Sequence, residues 1–214
     1  MPLEKALAAV LSDHTRFGQI LVQRTGAGGF TLCHRDDENA RDLKIFQKPD
    51  DALEIARYDD AGKYRPLKTA PNLCHGWRME VIDLGELRRA LDYFYPGRLA
   101  VLAAWTEDRL SPTPLRETLD RQSGMYRIAA KISNEQVDDV VGNFCKSDGG
   151  CLRTILWKRD ARAAVPSTRL PPEKFDPTHD QTGRSENTLP LLCQEACNLL
   201  VAECRKVVKG ETDE

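Results

Sequence analysis

The chain has 214 residues, with 31 Lys and Arg against 33 Asp and Glu and a hydrophobic fraction of 41%. That length accommodates one large domain or two small ones with a real core, and a near-neutral charge of mixed sign, without a long basic run, excludes generic nucleic-acid binding. No stretch is long or apolar enough to span a bilayer, and no charged segment followed by an apolar core opens the chain, so a cytoplasmic protein without membrane contact is expected.

Residues 3–11 have helical spacing. Residues 17–24 are rich in β-formers, 25–29 supply a Gly-rich turn and 30–34 read as a second strand, which together predict a hairpin. The glycines at 26–29 are not a phosphate loop, because the Lys-Ser/Thr pair and the following helix are missing. Residues 50–58 read as a short helix capped at Asp50 or Asp51. Residues 64–73 contain two prolines and are expected to be extended. A further strand is expected over 77–82.

From there the patterns are almost all helical. Residues 84–95 place Leu84, Leu87, Leu91 and Phe94 on one face. Pro96-Gly97 breaks that helix, and 98–107 resumes it. Pro112 and Pro114 precede a long helical pattern over 115–132, interrupted at Gly124. Ser133, with Gln136 three residues later, completes a capping box for a helix over 134–144 that ends where Cys145 appears. Residues 151–159 read as another short helix. Residues 160–185 are Pro-rich and polar without a period, a length of loop that is uncommon in a compact domain unless functional or disordered. Residues 188–209 read as a helix. The fold class is α+β: a small hairpin-containing domain over 1–78 packed on a mainly α-helical metal-binding domain over 79–214.

Seven cysteines, an odd number, argue against a disulfide framework in a reducing compartment. Four of them form two close pairs, Cys145-Lys-Ser-Asp-Gly-Gly-Cys151 and Cys193-Gln-Glu-Ala-Cys197. Thiolates grouped in this way suit a soft metal centre, either zinc or an iron–sulfur cluster. On the helix read over 188–209, Cys193 and Cys197 share a face, and Cys204 falls on the same face but is left outside the ligand set. The wide Cys145–Cys151 spacing differs from the short knuckles of structural zinc, which favours a [4Fe–4S] cluster over zinc. Cys33 and Cys74 read as small buried hydrophobes.

Arg116, Arg121, Arg127 and Arg153 have two readings, a cationic surface beside the cysteines or surface arginines paired with Glu117, Asp120 and Glu135. Trp105, Trp157 and Tyr126 are core residues, or, for Trp157 and Tyr126, a shield that keeps water from a cluster. Gly149-Gly150 is a turn, or a place where backbone N–H groups approach cluster sulfur. His14, His34, His75 and His179 are scattered over different elements, and no self-contained catalytic site emerges.

The run Tyr58-Asp-Asp-Ala-Gly-Lys-Tyr-Arg-Pro-Leu-Lys68, with Ala70-Pro-Asn-Leu73 and Gly76-Trp77, resembles the stabilising domain of Deinococcus chelatase-like proteins of the sirohydrochlorin cobaltochelatase type. Thr113-Pro-Leu-Arg-Glu-Thr118, Arg121-Gln122, Gly124-Met-Tyr-Arg-Ile128, Leu156-Trp157 and the four cysteines resemble the iron–sulfur domain that follows it there. The resemblance implies a [4Fe–4S] cluster on Cys145, Cys151, Cys193 and Cys197. It does not extend to the chelatase domains, so it implies an accessory role beside a separate chelatase or redox partner, in a tetrapyrrole or cobalamin-type context, and leaves open whether a tetrapyrrole touches the chain. Electron transfer or redox sensing is the expected function. A structural zinc protein, with the metal on the four cysteines and a role as an interaction module, is the alternative. An enzyme using a three-cysteine cluster as Lewis acid is a weaker third.

Overall fold

A computed structural model describes residues 3–65, 68–122, 128–145, 151–165 and 187–210. The fold is α+β, and the chain divides into two compact units, Met1–Arg109 with Asp176–Leu191, and Leu110–Phe175 with Leu192–Glu214. The first unit extends well beyond the residue-78 boundary expected from sequence, because the helices that follow the strand at 77–81 belong to the same core. Among the described residues no helix is long and apolar enough to cross a membrane.

The first unit opens with α1 (Leu3–Val10) and then builds a mixed sheet from β1 (His14–Phe17), β2 (Ile20–Arg24), β3 (Phe30–His34), β4 (Lys44–Phe46), β5 (Trp77–Val81) and β7 (Asn187–Leu189). The strand order is β4-β5-β3-β2-β1-β7, with β4 and β7 added in parallel and the other neighbours antiparallel. The predicted hairpin is the β2–β3 pair. What reads as one strand over 17–24 is instead the second half of another hairpin, turned at Gly18. Gly18 has φ +64°, and a Cβ there would lie 2.7 Å from the Tyr95 ring. A side chain is therefore excluded on two counts.

Short α2 (Asp51–Ile55) lies before β5, and α3 (Leu84–Phe94) and α4 (Arg98–Thr106) follow it. Asp83 caps α3 by accepting the Glu86 N–H. Leu87, Leu91 and Phe94 are fully buried, as their spacing predicts, together with Phe17, Ile20, Leu32 and Met79 from the sheet. Trp77 stacks on Phe94 at 5.0 Å, and Phe17 meets Tyr95 edge-on at 5.5 Å. The Tyr95 hydroxyl accepts the Gln19 N–H at 2.8 Å, which satisfies a buried donor at the β1–β2 turn.

The second unit is built from short elements. These are α5 (Leu115–Gln122), a 3-10 turn (Ala129–Lys131), α6 (Asn134–Val140), a π-helical turn (Val141–Cys145), β6 (Thr154–Ile155), β8 (Leu192–Cys193) and α7 (Asn198–Lys209). The predicted capping box is present: Ser133 accepts the Gln136 N–H while the Gln136 side chain takes the Ser133 N–H. Leu115, Leu119, Ile132, Val137, Val141, Trp157, Leu200 and Val201 form its apolar core. Two expectations are corrected. Residues 151–159 are not a helix, because β6 pairs in parallel with β8. Residues 188–197 are not helical either, and α7 starts only at Asn198.

A candidate metal centre in the second unit

The structure brings all four paired cysteines to one pocket. Cys145, Cys151, Cys193 and Cys197 line it together with Phe144, Arg153, Ile155, Trp157, Ala196 and Leu200. Four local arrangements deliver them. Cys145 ends the π-helical turn that widens and underwinds the end of α6, a distortion common at functional sites. Cys151 precedes β6, Cys193 ends β8, and Cys197 is the N-cap of α7 with extended backbone angles. Cys193 and Cys197 therefore do not share a helix face; a strand end and a helix start bring them into one pocket. At the N-terminus of a twelve-residue helix a thiolate meets the positive end of the dipole.

The frame around the thiols is held by backbone and side-chain bonds. The Leu156 N–H donates to the Cys193 carbonyl at 3.0 Å, and Thr113 N–H to the Gln194 carbonyl at 2.9 Å. Arg121 pairs with Glu195 at 2.7 Å and pins the turn between the last two cysteines. Arg116 donates to the Ile132 carbonyl at 2.7 Å and to Asn134 Oδ1 at 2.6 Å, anchoring the start of α6. These two arginines have structural partners, in keeping with the plainer of their two readings, although Arg121 reaches Glu195 as well as Glu117.

Arg153 behaves differently. It lines the cysteine pocket, and among the described residues its buried Nε has no hydrogen-bond partner. Its backbone N–H donates to Cys151 Sγ at 3.4 Å. Trp157, almost fully buried, donates its indole N–H to Cys193 Sγ at 3.3 Å. Sequence placed Trp157 near the cysteines but did not supply this bond, which depends on the β6–β8 pairing.

Burial pushes the Cys145 thiol far up, and the charges of Cys151, Cys193, Cys197 and Cys204 add to the effect. A site that must hold several thiolates this close, out of water, needs a cation to keep them ionised. Cys204 lies in the apolar core without lining the pocket, and burial pushes its thiol up to about 11. All seven cysteines are free thiols. Cys33 and Cys74 belong to the first unit. Trp105 lies on α4 of that unit, and Tyr126, Arg127 and Gly149-Gly150 fall outside the described residues.

One reading of the histidines is overturned. His34 and His75 are not scattered: their rings meet with centroids 3.9 Å apart. The β3–β5 pairing brings the end of one strand beside the residues that lead into the other.

Chain comparisons agree with this geometry. Residues 107–206 match the model of a 4Fe-4S iron-sulfur cluster binding domain, so the second unit is of the iron–sulfur class. Residues 4–109 match the DR2241 stabilising domain, so the two matches together cover most of the chain, one after the other. A solved structure, DR2241 from Deinococcus radiodurans, superposes with a TM-score of 0.75 at 29% identity over 98% of this chain. That protein is described as a multi-domain protein with structural similarity to chelatases and two additional novel domains, and this chain spans 41% of its length. No curated protein matches.

Proposed function

We propose that Cys145, Cys151, Cys193 and Cys197 ligate a [4Fe–4S] cluster and that the chain uses it for electron transfer or redox sensing alongside a chelatase acting on tetrapyrroles or cobalamin-type rings. The observation that carries this reading is the convergence of four thiols from separate elements on one pocket, inside a region whose sequence matches a cluster-binding domain. When bound, the cluster supplies a one-electron oxidation–reduction couple.

The chain's own residues contribute three effects. Four thiol donors complete the coordination without an open position, which suits electron transfer better than catalysis at a metal. The Trp157 N–H on Cys193 Sγ and the Arg153 N–H on Cys151 Sγ withdraw charge from ligand sulfur and favour the more reduced state. The aliphatic walls Ile155 and Leu200, with Trp157, limit water at the sulfurs.

The test is an anaerobic ultraviolet–visible spectrum with iron, sulfide and zinc analysis on the same sample. A broad visible absorbance that bleaches with dithionite, with about four iron and four sulfide per chain, is expected. A colourless protein with about one zinc would replace this reading with a structural interaction module. In the loaded protein, Trp157→Phe removes one N–H···S bond and is expected to lower the midpoint potential in a redox titration.

A further inference from the structure

The histidine pair in the first unit has no part in the cysteine centre. His34 ends β3 and its side chain is fully buried, with no hydrogen-bond partner for Nε2 among the described residues. His75 lies just before β5, half-exposed against it. Carboxylates face both rings. Asp36 Oδ2 is 3.6 Å from His34 Nδ1, Asp37 Oδ1 is 3.6 Å from His75 Nδ1, and Asp60 Oδ2 is 3.3 Å from His75 Nε2.

These carboxylates have different tasks. Asp60 Oδ1 also accepts the His75 backbone N–H at 2.9 Å, so one carboxylate holds both the main chain and the ring of His75. Its Oδ2 stands behind the ring on the Nε2 side, the position from which an outer carboxylate orients a histidine that ligates through Nδ1. Asp37 Oδ2 accepts the Gly76 N–H at 2.7 Å. Gly76 has φ +81°, so this turn is tied in a conformation that favours glycine. Asp36 is exposed, and its side-chain oxygen has no comparable structural task beyond a neighbouring Arg35 at 3.4 Å.

We infer that His34, Asp36 and His75 bind one divalent transition-metal ion of the zinc class, with Asp60 orienting His75 from behind. One donor atom from each of the three residues lies within 4.8 Å of the other two. Ligand atoms on a tetrahedral ion with bonds of about 2.0–2.1 Å stand about 3.3 Å apart. The 3.6 Å separation of His34 Nδ1 from Asp36 Oδ2 is too long for a direct hydrogen bond and close to that spacing. Small movements of the two exposed side chains close the remainder. The ion takes over the Nδ1 lone pair that now accepts the Asp36 N–H at 3.2 Å. Two imidazoles and a carboxylate select zinc, cobalt or nickel over calcium or magnesium, which prefer all-oxygen shells. Three protein ligands leave room for water at the fourth position, as in metal sites that act on a bound molecule.

Cobalt(II) serves as the probe, titrated calorimetrically into the full chain with its cysteine centre loaded, followed by cobalt-edge X-ray absorption. Binding of about one ion per chain with a nitrogen and oxygen shell is expected. His75→Ala and Asp36→Asn should each weaken it by about 100-fold or more, while His14→Ala leaves it unchanged. Both variant positions are exposed, and a thermal melt verifies that the variants fold. Absence of binding, wild-type affinity in both variants, or sulfur in the cobalt shell overturns the site. Iron and sulfide content is read on the same samples, so failure here is distinct from failure of the cysteine assignment.

Discussion

The two units solve the same problem of stability in opposite ways. The first closes its core with a six-stranded mixed sheet, and its large apolar side chains come from both strands and helices. The second has a two-stranded sheet of two residues per strand and places Cys145 and Cys193 within its apolar cluster. With the proposed cluster on those thiols, a core held by such short elements draws stability from the ligands as well as from packing. Under the proposed ligation, the difference separates a unit in which metal binding contributes folding free energy from one in which ordinary packing suffices.

The largest expected effect breaks the comparison if it fails. Serine at any one of Cys145, Cys151, Cys193 or Cys197 should remove most of the cluster and, with it, folding free energy on the order of 10 kcal/mol. Hydrogen exchange should then rise throughout the second unit and remain low in β2, β3 and β5. Retention of full iron content after each single change would sink the ligand assignment, and equal loosening of both units would erase the contrast between them.

Next in size is an alkaline transition in the first unit. Burial pushes the Tyr95 hydroxyl up to about 12. A free tyrosine ionises near pH 10, so the unfolded chain releases this proton first and the folded chain retains it. The stability is fully present below about pH 10 and is lost as pH rises toward 12, by about 3 kcal/mol in all. Denaturant melts across that window should show the loss, and Tyr95→Phe should reduce it, leaving the part that comes from the buried Cys33 thiol, itself pushed up to about 11.

Gly18→Ala combines a left-handed backbone with a clash on the Tyr95 ring and should cost about 2 kcal/mol in the first unit. Iron content should not change. The smallest effect sharpens the picture of the second unit: Ser133→Ala removes one half of the capping box and should cost about 1 kcal/mol. With the cluster loaded its thermal midpoint should shift little, whereas the cluster-free chain should respond more visibly.

Much of the fold was legible because it is locally encoded. The capping box at Ser133 and Gln136, the break at Pro96-Gly97 and the Gly-rich β2–β3 turn each depend on residues within a few positions of one another. The grouping of the cysteines was legible for the same reason. The helix read over 188–209 failed at its start. Pro190 cannot donate within a helix, and Leu192–Cys193 instead pairs with Thr154–Ile155 across a long interval of sequence. Two-residue strands have no period of their own, so neither β6 nor β8 leaves a local signature.

The sequence by itself therefore determined which residues could serve as soft ligands, where most helices begin and stop, and that the fold is α+β. Those properties follow from side-chain chemistry and from hydrogen bonds between near neighbours. The tertiary structure alone decided that Cys197 caps a helix while Cys193 ends a strand, that Trp157 donates to a ligand sulfur, and that His34 meets His75 among three carboxylates. Each of those contacts joins residues far apart in the chain, and only the pairing of strands sets their distance.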